Sequence, residues 1–547
     1  MRLFLSKALC VAVGLLGAAL RAEVVSITVE DRVTGRIEPG LFGQFVELLS
    51  PGQKEEAADA GVDPATGTWR SDVRAALDQL HLPVLRYPGG AMVEAPNWRW
   101  TQLVDGSEKV TGNEKDRRVN ALGLHEFLGW AQEIGAQPIL VVKLADVARE
   151  IEPAAEIVEQ ARAFWAYVNG RDDETCPAEL RQWPRLRAAN GRAEPWAVKD
   201  WQLGNEFTWV AVDFLKKKGL GREDVARAYV EAVGRVHDAL RALDRSIRFL
   251  VEIDMEQERT DIPVAEALHA RLKGDIAHMT AHKYFSWGID RLERDGVPQP
   301  LVAMDAEAFW YAAVSAPGTD GRGQAQFDLP MLHTANRLGY PLAVTEWNWN
   351  SWWELKGQSN SKGPNELWTK GVAAASMLHG MMNAPGRISL ATQSMLVGTN
   401  WHIRAVDAAA NPARLHPSGV VTSLYGRNHG AERLAWTTKE PLPVYRQPWQ
   451  MGQLPPMERV AEVDCVVTRG QEALYVHLIN RRWKEPVEVT VDAASVLPLD
   501  AVIGEVLRLS EPGVAAERFT LEREAGAVWQ VTLPPASVQV IKLLRSH

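Results

Sequence analysis

From Gly40 onward the chain alternates short apolar runs with long amphipathic stretches, and it does so eight times. The runs are rich in β-branched and aliphatic residues and are bounded by turn residues, which marks buried strands. The stretches carry apolar residues at three- and four-residue spacing, which marks helices packed on them. The strands are read at Leu41–Val46, Pro83–Tyr87, Pro138–Val142, Val198–Leu203, Arg248–Ile253, Ala277–Tyr284, Leu342–Thr345 and Arg387–Thr392. Helices between them include Ser71–Leu80, Leu124–Ile134, Ala155–Tyr167, Arg222–Leu243 and Trp368–Met382. Parallel strands joined by crossover helices need both faces covered. Eight such units close most simply into a (β/α)8 barrel of the α/β class.

The barrel does not account for all 547 residues. Beyond about Asn411 the texture changes to short strands, Val463–Thr468, Ala473–Ile479, Val487–Val491 and Val538–Leu543, separated by Gly, Pro and Asp turns. That pattern predicts a C-terminal antiparallel β-sandwich. Val24–Val29 is an alternating strand with no place in the barrel count, so it is expected to cross over and complete the sandwich. The expected division is an export signal at 1–22, the crossing strand at 23–39, the barrel at 40–410 and the sandwich at 411–547. The signal reading rests on Arg2 and Lys7 flanking an apolar segment, Ala8 to Leu20, too short to span a membrane. It predicts a protein exported to the periplasm or the medium. Cys176 and Cys465 then remain in the mature chain, as a pair or as two buried thiols.

The net charge of −9, with both signs mixed throughout, argues against nucleic acid or an anionic membrane as partner. No His-Glu-x-x-His, Cys/His cluster or calcium-loop spacing occurs, so no metal is expected. No phosphate-cradling glycine motif precedes a helix, and no cofactor is expected either. Tryptophan is in excess, 21 against 9 tyrosines. Several lie at loop positions (Trp98, Trp100, Trp209, Trp347, Trp349, Trp352, Trp353), where flat indole faces suit the walls of a sugar cleft. The plainer reading is large cores in a large protein; the cleft reading, for some of them, would make carbohydrate the partner. Self-association into a homo-oligomer stays open.

Two strand tips carry the chemistry. Trp201-Gln202-Leu203-Gly204-Asn205-Glu206 ends the fourth strand and Val344-Thr345-Glu346-Trp347 the seventh. Reactive groups of such barrels come from the C-terminal ends of strands, and these two ends face one another across the mouth. Two opposed carboxyls are what glycosidic hydrolysis needs: one protonates the leaving oxygen, the other attacks the sugar carbon, and a separation of about 5 Å favours retention. Either glutamate alone reads equally well as a solvated strand end; the matched pair favours catalysis. An ionised Glu346 is expected to raise the pKa of Glu206, as an acid requires. Other tips point to the same mouth: Gln44-Phe45-Val46-Glu47, Arg86-Tyr87-Pro88-Gly89-Gly90 and His282-Lys283-Tyr284. Tyr284 is placed to hydrogen-bond the nucleophile. The plainer readings are Glu47 as an ion-pair partner of Arg86 and His282 as a buried core histidine.

The stretch from Arg187 through Asn190-Gly191 to Gly204-Asn205-Glu206 closely resembles glycoside hydrolase family 51, the α-L-arabinofuranosidases. Phe42-Gly43-Gln44-Phe45-Val46-Glu47, Arg86 to Gly90, Tyr167-Val168-Asn169-Gly170, Thr345-Glu346-Trp347-Asn348 and His429-Gly430 resemble it in the same order. The resemblance implies Glu206 as general acid/base and Glu346 as nucleophile. It also implies Asn205 and Glu47 as ligands of sugar hydroxyls, Tyr284 as orienter of Glu346, a C-terminal sandwich and no cofactor. Two positions depart from the family pattern: Ala91 replaces the asparagine after the two glycines, and Asn350 stands where a tryptophan is common. The expected activity is retaining, exo-acting release of terminal α-L-arabinofuranosyl units from plant-type poly- or oligosaccharides. Expected substrate contacts are Glu47, Asn205, Tyr284, His282, Trp100 and Trp347. The rivals are the same chemistry on a β-D-galactofuranoside, β-xyloside or endo-β-glucan, and a non-catalytic carbohydrate-binding protein.

Overall fold

The computed structural model describes residues 24–48, 58–63, 65–96, 98–104, 110–111, 118–119, 122–148, 154–207, 216–254, 264–285, 288–289, 291–300, 303–349, 352–353, 367–399, 403–497, 502–510, 515–521, 523–525 and 527–545. The expected export signal, Trp209 and Asn350 lie outside them.

Eight parallel strands close into a barrel: β1 (Gly43–Phe45), β2 (Val84–Tyr87), β3 (Gln137–Val142), β4 (Asp200–Leu203), β5 (Arg248–Glu252), β6 (His278–Tyr284), β7 (Leu342–Asn348) and β8 (Ile388–Gln393). All eight expected strands are present, and each pairs with its sequence neighbours around the ring. Helices follow the strands as the amphipathic pattern requires. Arg222–Leu243 begins with Glu223 and Asp224, whose charges suit a helix N-terminus, and Asp224 also accepts the Gly221 N–H at 2.9 Å. Inside the barrel, Val84, Ile139, Leu250, Ala343 and Leu390 form their own buried cluster, a plug drawn from five strands. Above it, toward the strand C-termini, the inward positions turn polar.

Pro417–Arg427, which packs on Leu367–Met382, is the helix that follows β8, and it falls beyond residue 410, where the sequence reading ended the barrel. Its N-terminal proline pre-sets the first turn. The C-terminal region is a ten-stranded sheet. The N-terminal strand, Val24–Arg36, does cross over into it, antiparallel to Glu432–Thr438 and parallel to Val487–Asp492. Its alternation places Val25, Ile27 and Val29 in the sheet's apolar core with Trp529 and Ile541. That one parallel pairing interrupts an otherwise antiparallel sheet. Cys176 and Cys465 are two buried free thiols.

Sandwich and barrel are joined through buried polar groups. Asp464 accepts from Arg481 at 2.6 Å and pairs with His379 of Leu367–Met382 at 3.0 Å, all fully buried. Trp310 and Trp368 donate their indole N–H groups to Arg481 and Ala536 carbonyls at 2.7 and 2.8 Å. These paired groups fix one orientation of the two layers, since leaving any of them unpaired in the interior is costly.

Candidate active site

The site sits in the polar layer at the C-terminal mouth, and Arg86 is its hub. This fully buried guanidinium donates to Glu346 Oε1 at 2.9 Å, to Gln202 Oε1 at 2.7 Å and to Asn205 Oδ1 at 2.5 Å. It thereby ties the tips of β2, β4 and β7. Tyr284 donates to the second Glu346 oxygen at 2.9 Å and lies 2.7 Å from the Ser394 hydroxyl. Both oxygens of Glu346 are therefore oriented, one by a cation and one by a phenol.

Glu346 faces inward because β7 is irregular. Ala281 pairs with Val344, but the next residue, His282, pairs with Glu346, so Thr345 is an extra residue. Ala343 belongs to the inner plug, and simple alternation from it would turn Thr345 inward. The β-bulge shifts the phase by one and delivers the glutamate instead. Trp347 then faces away and is wholly buried.

Glu206 ends a strained turn. Its φ is +48°, after Gly204 at +88°. Its carboxyl accepts from His282 Nδ1 at 2.9 Å, and that nitrogen lies 3.6 Å from Glu346. One oxygen each from Glu206 and Glu346 and a ring nitrogen of His282 all lie within 4.8 Å of one another. These atoms are engaged with each other, with Arg86 and with Tyr284.

The electrostatics overturn one expectation. Glu346 does not lift Glu206. Burial pushes the Glu206 carboxyl up, but the hydrogen bond and charge of His282, with Arg86, outweigh burial and hold it below the usual range. The same contacts act on His282 in the opposite sense. Burial alone would lower that imidazole; the carboxylates of Glu346, Glu206 and Asp254 instead raise it to about 9. Asp254 accepts the His282 backbone N–H at 3.0 Å. Burial, with His282 opposing it, leaves Asp254 at about 7. Glu252 is raised to about 8, by burial and then by Asp254.

Glu47 follows β1 and is raised to about 8, first by burial and then by Glu346 and Glu206. It lies against Gly90: a Cβ there would stand 2.2 Å from Glu47 Oε1, and Gly90 has φ +69°. Only glycine leaves room for this carboxyl. Asn205 is fully buried, with its Nδ2 unpaired among the described residues.

The structure thus brings together Glu47, Asn205, Glu206, His282, Tyr284 and Glu346. It does not bring Trp100 or Trp347 to an open wall. Trp100 is 3% exposed, stacked on Phe164 at 5.2 Å and edge-on to Trp183 at 4.9 Å. Apolar packing claimed both rings, since indole is buried wherever a core can take it. Sequence reasoning missed Gln202, Glu252, Asp254 and Ser394. Two carboxyls at the tip of β5 were the available signal, because acidic residues end an apolar strand at a barrel mouth for a reason.

Residues 76–286 match the family model described as the alpha-L-arabinofuranosidase 1 domain. In sequence the chain is similar to an intracellular exo-alpha-(1->5)-L-arabinofuranosidase of Halalkalibacterium halodurans, 29% identical over 181 residues, 32% of each chain. It is also 29% identical to alpha-L-arabinofuranosidase C of Emericella nidulans over 237 residues, 40% of each chain. The matched region is about a third to two fifths of the length of these relatives. Among solved structures, AbfB, a family 51 alpha-L-arabinofuranosidase from Bifidobacterium longum, superposes with a TM-score of 0.68 at 18% identity, covering 95% of this chain and 99% of that one. The solved structure shows the shared fold over nearly the whole chain, and the family-model match covers its middle part. The same fold is shared over the same coverage with the GH51 arabinofuranosidase from Xanthomonas axonopodis pv. citri, TM-score 0.65 at 20% identity. The residues matched by the family model include Glu206, His282 and Tyr284; Glu47 and Glu346 lie outside it.

Proposed function

We propose that this chain is a retaining, exo-acting α-L-arabinofuranosidase that removes terminal arabinofuranosyl units from plant-type poly- or oligosaccharides. The observation that carries the reading is the opposed pair: oxygens of Glu206 and Glu346 within 4.8 Å, one just past the end of β4 and the other on β7. That spacing suits direct attack by one carboxyl and leaves no room for the water an inverting enzyme needs between them.

In this reading Glu346, oriented by Arg86 and Tyr284, attacks the anomeric carbon. The free site holds an ionised Glu206 beside a protonated His282. As the new C–O bond consumes the charge of Glu346, the attraction holding the proton on the imidazole weakens. The proton then passes through Glu206 to the departing oxygen. In the second half, Glu206 takes a proton from water as it attacks the glycosyl ester, and His282 receives it back. Glu47 and the Asn205 amide bind furanose hydroxyls. A second reading, the same chemistry on another glycoside, is favoured by Ala91, which stands exposed beside Gly90 and offers no hydrogen bond.

The test is hydrolysis of aryl α-L-arabinofuranoside, β-D-galactofuranoside and β-D-xyloside, with the first-formed anomer followed by NMR. The expected outcome is preference for arabinofuranoside with retained configuration, abolished in Glu346→Ala. Preference for another glycoside sinks the substrate assignment, and an inverted product sinks the mechanism.

A further inference from the structure

The acid/base glutamate is held in a backbone conformation that L-residues avoid, and something must keep it there. Left-handed φ at a non-glycine residue persists only where the surroundings over-determine it. The two N–H groups flanking Glu206 both end on buried carboxyls. Asn205 N–H donates to Glu94 Oε1 at 3.1 Å, and Phe207 N–H donates to Glu252 Oε2 at 3.1 Å. Glu94 is 0% exposed and Glu252 2%.

We propose that Glu94 and Glu252 are positioning residues for Glu206, a pair of buried carboxyls that grip the backbone on either side of it and aim its side chain at the leaving oxygen. The proposal rests on the reading of Glu206 as acid/base. Each carboxyl is itself anchored. Glu94 also accepts from Leu144 N–H at 3.0 Å and Ala145 N–H at 2.7 Å, which fastens the tip of β4 to the end of β3. Glu252 is fixed through its own N–H, which donates to the Tyr229 hydroxyl at 2.6 Å; that hydroxyl lies 3.3 Å from the Leu203 carbonyl. Tyr229 belongs to the helix Arg222–Leu243, so a helix braces the β4 and β5 tips together. If either grip is released, the φ of Glu206 relaxes and its Cα–Cβ direction rotates. The carboxyl then leaves both His282 and the hydrogen-bond reach a proton donor requires.

Misaiming an acid differs from damaging a fold. A leaving group that departs as a stable anion needs no proton; an alcohol does. The experiment measures kcat/KM of the full chain on 2,4-dinitrophenyl and on methyl α-L-arabinofuranoside, and takes the ratio on one preparation. That ratio does not depend on the fraction folded. Glu206→Ala sets the ceiling. Glu94→Ala and Glu252→Ala are expected to raise the ratio at least ~10-fold toward that ceiling, within the ~10²–10⁴-fold that acid catalysis supplies. Azide, a nucleophile that needs no base, is expected to raise their kcat on the dinitrophenyl substrate. Should an alanine variant fail to fold, the glutamines decide. Glu252 uses one oxygen toward Phe207 and its other has no hydrogen-bond partner among the described residues, so Glu252→Gln keeps the grip and a near wild-type ratio. Glu94 uses both oxygens as acceptors, so Glu94→Gln must turn an N–H toward a donor and raise the ratio. An unchanged ratio in Glu94→Gln or in either alanine variant overturns the proposal, whatever the total activity. An unchanged ratio in Glu206→Ala would instead show that the acid/base reading has failed.

Discussion

Gly90→Ala separates the position of Glu47 from the strain of its neighbour. Two effects act at Gly90. Its φ of +69° is disfavoured for alanine, and an added Cβ would meet Glu47 Oε1 at 2.2 Å and Cδ at 2.8 Å. Gly135 supplies the control: φ +71°, with nothing within 4 Å of a built Cβ. Backbone strain should therefore be the same in both variants, about 1–2 kcal/mol. The clash at Gly90 falls on the far end of a side chain, so it displaces Glu47 more than it destabilises the fold. Moving from 2.2 Å to ordinary contact requires a shift of roughly 1 Å, and a displacement of that size in a substrate-contacting group costs on the order of 10²-fold in rate. Urea unfolding is expected to show similar losses for Gly90→Ala and Gly135→Ala. Steady-state kinetics on aryl α-L-arabinofuranoside should show a ~30–100-fold loss of kcat/KM in Gly90→Ala alone. In a Glu47→Ala background, Gly90→Ala should cost no further activity, because the clashing atoms are gone. If Gly90→Ala keeps the kcat/KM of Gly135→Ala, Glu47 does not touch the reacting sugar.

Two further predictions concern charge. Asp254, Glu47, Glu252 and His282 are raised to about 7, 8, 8 and 9, all above their ordinary values, so each contributes stability that is present at low pH and lost as pH rises through those values. The urea midpoint should fall between pH 6 and pH 9.5, more steeply in wild type than in Glu252→Gln; a flat or rising midpoint would contradict the buried acidic cluster. At the sandwich junction, Arg481→Leu strands the buried Asp464 carboxylate, which burial pushes up and Arg481 and His379 hold well below its usual range. The expected loss is about 3–5 kcal/mol at neutral pH by denaturant titration, and a loss below 1 kcal/mol would show that the pair is replaceable.

Much of this was legible in the amino-acid order. The eight strands lie where the apolar runs place them, and Arg222–Leu243 has the bounds its periodicity predicts. Hydrophobic period and turn chemistry are local properties, so a local reading recovers them. Strand counting paired Glu206 with Glu346 across the mouth, and the resemblance to family 51 gave each a role. The tryptophans were read less well, because the same indole serves a sugar wall and a core, and Trp100 went to the core.

By itself the sequence determined the barrel, the crossing strand and the two strand tips that carry carboxyls. Only the tertiary structure decided which way those carboxyls point and how their charges act on His282. The bulge at Thr345 exists only in register with β6, and it turns Glu346 rather than Thr345 into the mouth. The rise of the His282 pKa depends on carboxylates at the tips of β4, β5 and β7, brought together by closure of the ring. Strand phase is set by the neighbouring strand and charge by what faces a group across the barrel; neither is a property of nearest neighbours along the chain.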